Sequence, residues 1–142
     1  MLYIACDHAG FNLKQRLIKW FDKVNIKYVD FGANKFDNLD SYVDYAKSAI
    51  SQFVDKKKTE DKLILICGSG IGMSIVANRN KNVRAVLAFS CKQVKQAREH
   101  NDANCLCVGA RNTCYFKVKK FIKVFLTTTF LGGKYQKRLE SI

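Results

Sequence analysis

With 142 residues, 48% of them hydrophobic and 12% aromatic, the chain is long enough to bury one core without cross-links, so one domain over residues 1–142 is expected. No stretch approaches the roughly 18 apolar residues of a membrane span, and a strand begins at Leu2 with no charged and apolar leader before it, which points to a cytoplasmic protein without a membrane partner. The net charge of +13 would suit nucleic acid, but the lysines are spread along helical faces (Lys14, Lys19, Lys23, 56–58, Lys92, Lys95, Lys117, Lys119, Lys120, Lys123), the pattern of a solvated surface that also attracts small anions.

Leu2-Tyr3-Ile4-Ala5-Cys6 reads as a first short strand with Asp7-His8-Ala9-Gly10 as its exit loop. Leu13, Leu17, Ile18, Phe21 and Val24 recur at helical spacing, predicting a helix over 11–24. A second strand over 26–31 and a polar loop over 32–40 precede a helix outlined by Tyr42, Tyr45, Ala46, Ala49, Ile50 and Phe53, which ends in the basic turn 56–58.

Leu63-Ile64-Leu65-Ile66-Cys67 is a continuous apolar run, as expected of a parallel strand covered on both faces. It ends at Cys67. Three glycines at alternate positions follow, Gly68, Gly70 and Gly72, which let the backbone turn tightly and present N–H groups to an anion at the start of a helix over 71–78. The loop is not the dinucleotide fingerprint, because Met73 stands where the third glycine belongs and the next strand, over 83–88, ends without a carboxylate. Nor does Gly-Lys-Ser/Thr follow, as a Walker loop requires.

Ser90 can cap a helix running to about Glu99, whose end releases His100-Asn101-Asp102-Ala103-Asn104 as a loop. A fifth strand covers 105–108, closed by Gly109, and helices over 113–130 and 135–141 flank Gly132-Gly133. Strict alternation of strand and helix predicts an α/β parallel sheet with helices on both faces, binding ligands beyond the carboxyl ends of its strands. Asp7, His8, Cys67 and the glycine loop fall there. Both histidines border loops, and placing them on one rim with the thiol would assemble groups suited to proton transfer. The six cysteines are expected as free thiols: there is no secretory leader, and no Cys-x-x-Cys to hold zinc.

Asp7-His8-Ala9-Gly10-Phe11 with Leu13-Lys14, Asp40-Ser41-Tyr42-Val43-Asp44-Tyr45-Ala46, Cys67-Gly68-Ser69-Gly70-Ile71-Gly72-Met73-Ser74-Ile75-Val76-Ala77-Asn78, Val83-Arg84-Ala85, His100-Asn101-Asp102-Ala103-Asn104, Gly109-Ala110-Arg111 and Arg138 carry a resemblance over essentially the whole chain. The sequence resembles the type B ribose-5-phosphate isomerases, grouped with galactose-6-phosphate isomerase subunits. The resemblance implies a doubly wound, Rossmann- or flavodoxin-like sheet of five parallel strands in the order 2-1-3-4-5. It also implies a homodimer or tetramer that shares its active site between subunits and uses no metal or cofactor.

The roles implied are Cys67 as base, His100 as the acid that opens the sugar ring, and Ser69 with the loop amides on the enediolate. Asp7, Tyr42, Asn101, Gly68, Ser69, Gly70, Ile71 and Gly72 would hold the sugar; His8, Arg111, Lys134 and Arg138 would hold phosphate. The family usually has proline where Val43 stands and arginine where Lys134 stands. Isomerisation through an enediolate needs one base over the carbon, donors facing the oxyanion and a ring-opening group. Cys67 can be that base if the loop amides and helix start stabilise its thiolate. A hexose 6-phosphate isomerase of the galactose or allose type fits the same motifs, because pocket depth sets sugar length. A non-catalytic nucleotide or nucleic-acid binding module of this shape would have no use for Cys67, His8 and His100 together.

Overall fold

Leu2–Cys6 (β1), Lys62–Cys67 (β3) and Cys105–Gly109 (β5) are buried along their whole length in a computed structural model that describes residues 1–56 and 58–142. They lie side by side as parallel strands. Tyr28–Asp30 (β2) and Ala85–Leu87 (β4), each three residues long and only half-buried, form the edges. The sheet order is β2-β1-β3-β5-β4, so the last two strands are exchanged relative to the expected 2-1-3-4-5. The reason lies in their composition: the wholly apolar β5 needs neighbours on both sides, whereas β4 follows Arg84, whose guanidinium pairs with Asp102 at the half-exposed rim.

Alternation along the strands sorts the core into two layers. Ile4, Cys6, Ile64, Ile66, Leu106 and Val108 meet Leu17 and Phe21 of Phe11–Lys23 (α1), Val94 of Cys91–Asn101 (α4), and Phe121 and Phe125 of Tyr115–Thr127 (α5). Tyr3, Ala5, Leu63, Leu65, Cys105 and Cys107 meet Ala46, Ile50 and Phe53 of Tyr42–Lys56 (α2) and Met73 of Ile71–Ala77 (α3). Lys134–Leu139 (α6) completes the chain. The expected basic turn 56–58 includes residue 57, which lies outside the described residues.

Several boundaries move for local reasons. β2 begins at Tyr28 rather than 26, because Asn25 takes a left-handed φ of 56° and the Ile26 N–H turns back to Phe21 O. Helix α4 continues to Asn101: buried Arg98 donates to Asp102 Oδ1 and to Ala103 O, closing the last turn around His100 and Asn101 instead of releasing them as a loop. Helix α5 stops at Thr127, short of 130. All six cysteines are free, and no described helix is long and apolar enough to cross a membrane.

One buried cation ties the β2 edge to the rest. Lys14 of α1 is fully buried, with Nζ 2.6 and 2.7 Å from the two Asp30 carboxylate oxygens and 2.7 Å from Ala33 O. Removing one partner of such a pair strands the other charge, so Lys14→Ala is expected to cost about 3 kcal/mol. A fall in the urea midpoint at unchanged slope is the measurement that checks it.

Candidate active site

The central strands end at a common level, since Cys6 pairs with Ile66 and Cys67 with Gly109. Their exits therefore converge. From β1 comes Asp7, whose carboxylate accepts the Gly10 N–H at 3.0 Å and so caps the short 3-10 turn His8–Gly10. From β3 comes Cys67, whose Sγ accepts the Gly70 N–H at 3.1 Å. The loop turns through Gly70, at φ 78°, where a Cβ would sit 2.6 Å from Leu87 Cδ1 and 2.9 Å from Gly109 N. The third exit clamps this loop, with Ala110 N–H donating to Cys67 O and Arg111 N–H to Gly68 O. Gly72, at the start of α3, is packed by the Tyr42 ring, which a Cβ would approach to 2.5 Å.

These elements enclose a cleft of about 560 Å³. Asp7, His8, Tyr42, Cys67, Gly68, Ser69, Ile71, Gly72 and Arg111 all line it, with Gly70 buried under the loop; Ala9, Ile75 and Asn112 join them. Ser69 Oγ accepts the Ile71 N–H at 3.2 Å, which holds the hydroxyl at the mouth of the loop. The exposed Arg111 side chain has no carboxylate partner among the described residues and is available to an anion. Burial pushes the Asp7 carboxyl above its ordinary value, against the opposing pull of the Gly10 hydrogen bond. Burial pushes the Cys6 thiol up to about 12, and the hydrogen bond the Cys107 thiol makes to Cys105 together with burial raises Cys107.

His100, Asn101, Lys134 and Arg138 lie elsewhere. Helix α4 runs back antiparallel to the strands, so its end comes down to where they begin: Arg84, just before β4, donates from Nε to Asn101 O at 3.0 Å. The expectation that both histidines share the thiol's rim is therefore overturned. Cys105 is in register with Leu63 and Gly109 with Cys67, so the length of β5 alone, about 13 Å, separates the two rims. There His100 stacks on Tyr135, with centroids 4.3 Å apart and planes at 12°. Lys134 Nζ and Arg138 Cζ flank the same ring at 5.2 and 5.8 Å. A histidine and two cations thus form a second cluster, apart from Cys67.

Asp40 is the site residue that residue-by-residue reading missed. Its Oδ1 lies 2.6 Å from His8 Nδ1 and also accepts the His8 backbone N–H at 3.0 Å. No local spacing signals a pairing across 32 residues. Asp7, His8 and Asp40 bring ligand atoms within 4.8 Å of one another, a donor set that can take a metal. In this arrangement His8 Nδ1 is engaged with Asp40 Oδ1 and Asp7 Oδ1 with the Gly10 N–H.

The profile of the Ribose/Galactose Isomerase family matches residues 2–142. Ribose-5-phosphate isomerase B of Escherichia coli is 34% identical over 138 residues, 97% of this chain and 91% of that protein. The solved structure of ribose 5-phosphate isomerase B from Anaplasma phagocytophilum is similar at a TM-score of 0.89 and 36% identity, covering 99% of this chain and 94% of that one. That of Mycoplasma genitalium ribose-5-phosphate isomerase B, with bound ribulose-5-phosphate, is similar at 0.91 and 35%, covering 99% and 91%.

A carboxyl raised by burial holds its proton more tightly in the folded than in the unfolded chain, so its ionisation erodes stability as pH climbs above the ordinary value near 3.8. Asp7→Asn keeps an acceptor for the Gly10 N–H without that charge. It is expected to raise the thermal midpoint by a few degrees at pH 7 and to lose the advantage below about pH 4. Melting curves at the two pH values check this.

Proposed function

The chain belongs to the ribose/galactose isomerase family, and on that premise we propose that it is an aldose–ketose isomerase interconverting D-ribose 5-phosphate and D-ribulose 5-phosphate. The observation that carries the reading is a thiol at the end of the central strand, facing a cleft and accepting a hydrogen bond from the Gly70 amide of a glycine loop. In the open-chain aldose, Cys67 removes the C2 proton and the electron pair moves onto O1 to form the enediolate; the same proton, or one exchanged with water, is delivered to C1, while O2 loses its hydroxyl proton and O1 gains one. Ser69 and the loop N–H groups face the developing oxyanion. Asp7, Tyr42 and the loop hold the hydroxyls, and His8 with Arg111 holds the phosphate. Backbone amides and side chains supply every group this chemistry uses. Such an enzyme acts in the cytoplasm, in the non-oxidative pentose phosphate pathway.

His100, Asn101, Lys134 and Arg138 enter this scheme from a second copy of the chain. Their distance from Cys67 supports that reading, and so does the surface beside the cleft. Ile71 and Ile75 are 50% and 54% exposed there, and Ile75 also borders an apolar groove of about 500 Å³ with Ile50, Val54 and Val76. Burying that face against a partner subunit would bring a foreign His100 to the sugar ring and a foreign Arg138 to the phosphate. Arg138 is the bidentate anchor of the pair, Lys134 a point charge beside it.

Purified protein is expected to isomerise ribose 5-phosphate in the presence of a chelator, and faster than it does allose 6-phosphate or galactose 6-phosphate. Preference for a hexose phosphate in parallel assays would reassign the substrate. Cys67→Ser is expected to lower kcat by about a hundredfold or more while substrate still binds. Near-normal turnover would remove Cys67 from the role of base.

The shared site has its own test. Cys67→Ser and His100→Asn chains, each nearly inactive, should regain about one quarter of wild-type activity when co-assembled in equal amounts, because half the dimers would carry one intact site of two. No recovery in verified mixed dimers would mean that the site is not completed by the partner subunit.

A further inference from the structure

Asp40 lies at the end of the loop before α2, and its side chain is only 7% exposed. One oxygen, Oδ1, takes both His8 contacts, while Oδ2 is buried without a hydrogen-bond partner. A buried carboxylate with an unused oxygen is a net cost to the fold. The backbone bond from His8 does not call for it, since an asparagine carbonyl would accept the same N–H. What asparagine cannot supply is a negative charge facing an imidazole nitrogen.

That charge has a consequence for the other side of the ring. Nδ1 is committed to Asp40, so Nε2 is the nitrogen left for a ligand in the cleft that His8 lines. A ring that donates from Nδ1 to a carboxylate and from Nε2 to an anion must carry both protons, and it then needs a counter-charge. Phe36 stands edge-on to the imidazole at 6.4 Å and also meets Phe11, which limits the ring's rotation from a second side. Asp7 and Arg111 are the other charged groups lining this part of the cleft, and neither hydrogen-bonds the imidazole.

We propose that Asp40 is a positioning residue for phosphate recognition: it fixes the His8 ring and balances its second proton, so that Nε2–H faces the substrate phosphate. The inference rests on the reading of the cleft as a sugar-phosphate site. The Lys14 contacts to Asp30 and Ala33 anchor the start of the loop that delivers Asp40. Orientation and charge are thereby set before the ligand arrives, which spares the binding step their entropic cost.

The test is a double-mutant cycle of Asp40→Asn and His8→Asn, reading kcat and KM for ribose 5-phosphate and Ki for inorganic phosphate. Phosphate is held in ground and transition states alike, so Asp40→Asn is expected to raise KM and Ki together by about tenfold or more, with kcat within about twofold. In the His8→Asn background it should add nothing. Unchanged KM in the single variant, or an equal further loss in the His8→Asn background, would overturn the proposal.

Nitrogen NMR of the wild type needs no variant to fold, and the chain has only two histidines to assign. On saturation with inorganic phosphate, the His8 ring is expected to show both nitrogens protonated; a singly protonated ring in the phosphate complex would also overturn it. The two readings fail separately. Wild-type turnover with an indifferent Asp40→Asn sinks the role of Asp40 alone, whereas absent turnover with a doubly protonated, phosphate-responsive His8 sinks the isomerase reading and supports Asp40.

Discussion

The parallel register of β1, β3 and β5 is the constraint on which the rest depends. Each strand is buried on both faces, so a slip of one residue would exchange the side chains of the two core layers and expose apolar groups to the wrong helices. With the register so held, Cys6, Cys67 and Gly109 end at nearly the same height. Three chain exits are then forced into one small region. Gly70 packs onto Gly109, and Ala110 and Arg111 bind back to the carbonyls of Cys67 and Gly68. The loop that carries the thiol is held by the sheet itself.

Charge in the cleft is costly and concentrated. Burial raises Asp7, and Asp40 keeps one oxygen unsatisfied, two departures from what stability alone would favour. Both flank the same imidazole turn. Two buried cations elsewhere are matched: Lys14 satisfies all three of its donors on Asp30 and Ala33, and Arg98 closes α4 on Asp102, Ala103 and Thr128. The contrast separates charges matched within the fold from charges left at the cleft.

Helix direction divides the candidate groups between two rims. In a parallel α/β sheet, the segment after a strand begins at the carboxyl edge and the helix returns to the amino edge, so a residue closing a helix cannot reach the thiol of its own chain. His100 closes α4, and α6 packs its Lys134, Tyr135 and Arg138 beside it. Neither cluster alone holds the Cys67 thiol together with His100, Lys134 and Arg138. Ile71 and Ile75 stand exposed beside the first of the two clusters.

Much of this was legible in the residues themselves. Continuous apolar runs at Leu63 to Cys67 and at Cys105 to Val108 could only be central strands, the 3.6 periodicity of Leu13, Leu17 and Phe21 could only be a helix, and alternate glycines after Cys67 could only be a tight turn. These are local properties, dictated by side-chain burial and backbone freedom within a few positions. Tertiary structure decided the rest: that β5 rather than β4 lies beside β3, that Asp40 meets His8 from 32 residues away, and that His100 sits on the far rim. Each depends on which distant surface a segment packs against, and a periodicity states that a face must be buried without naming what will bury it.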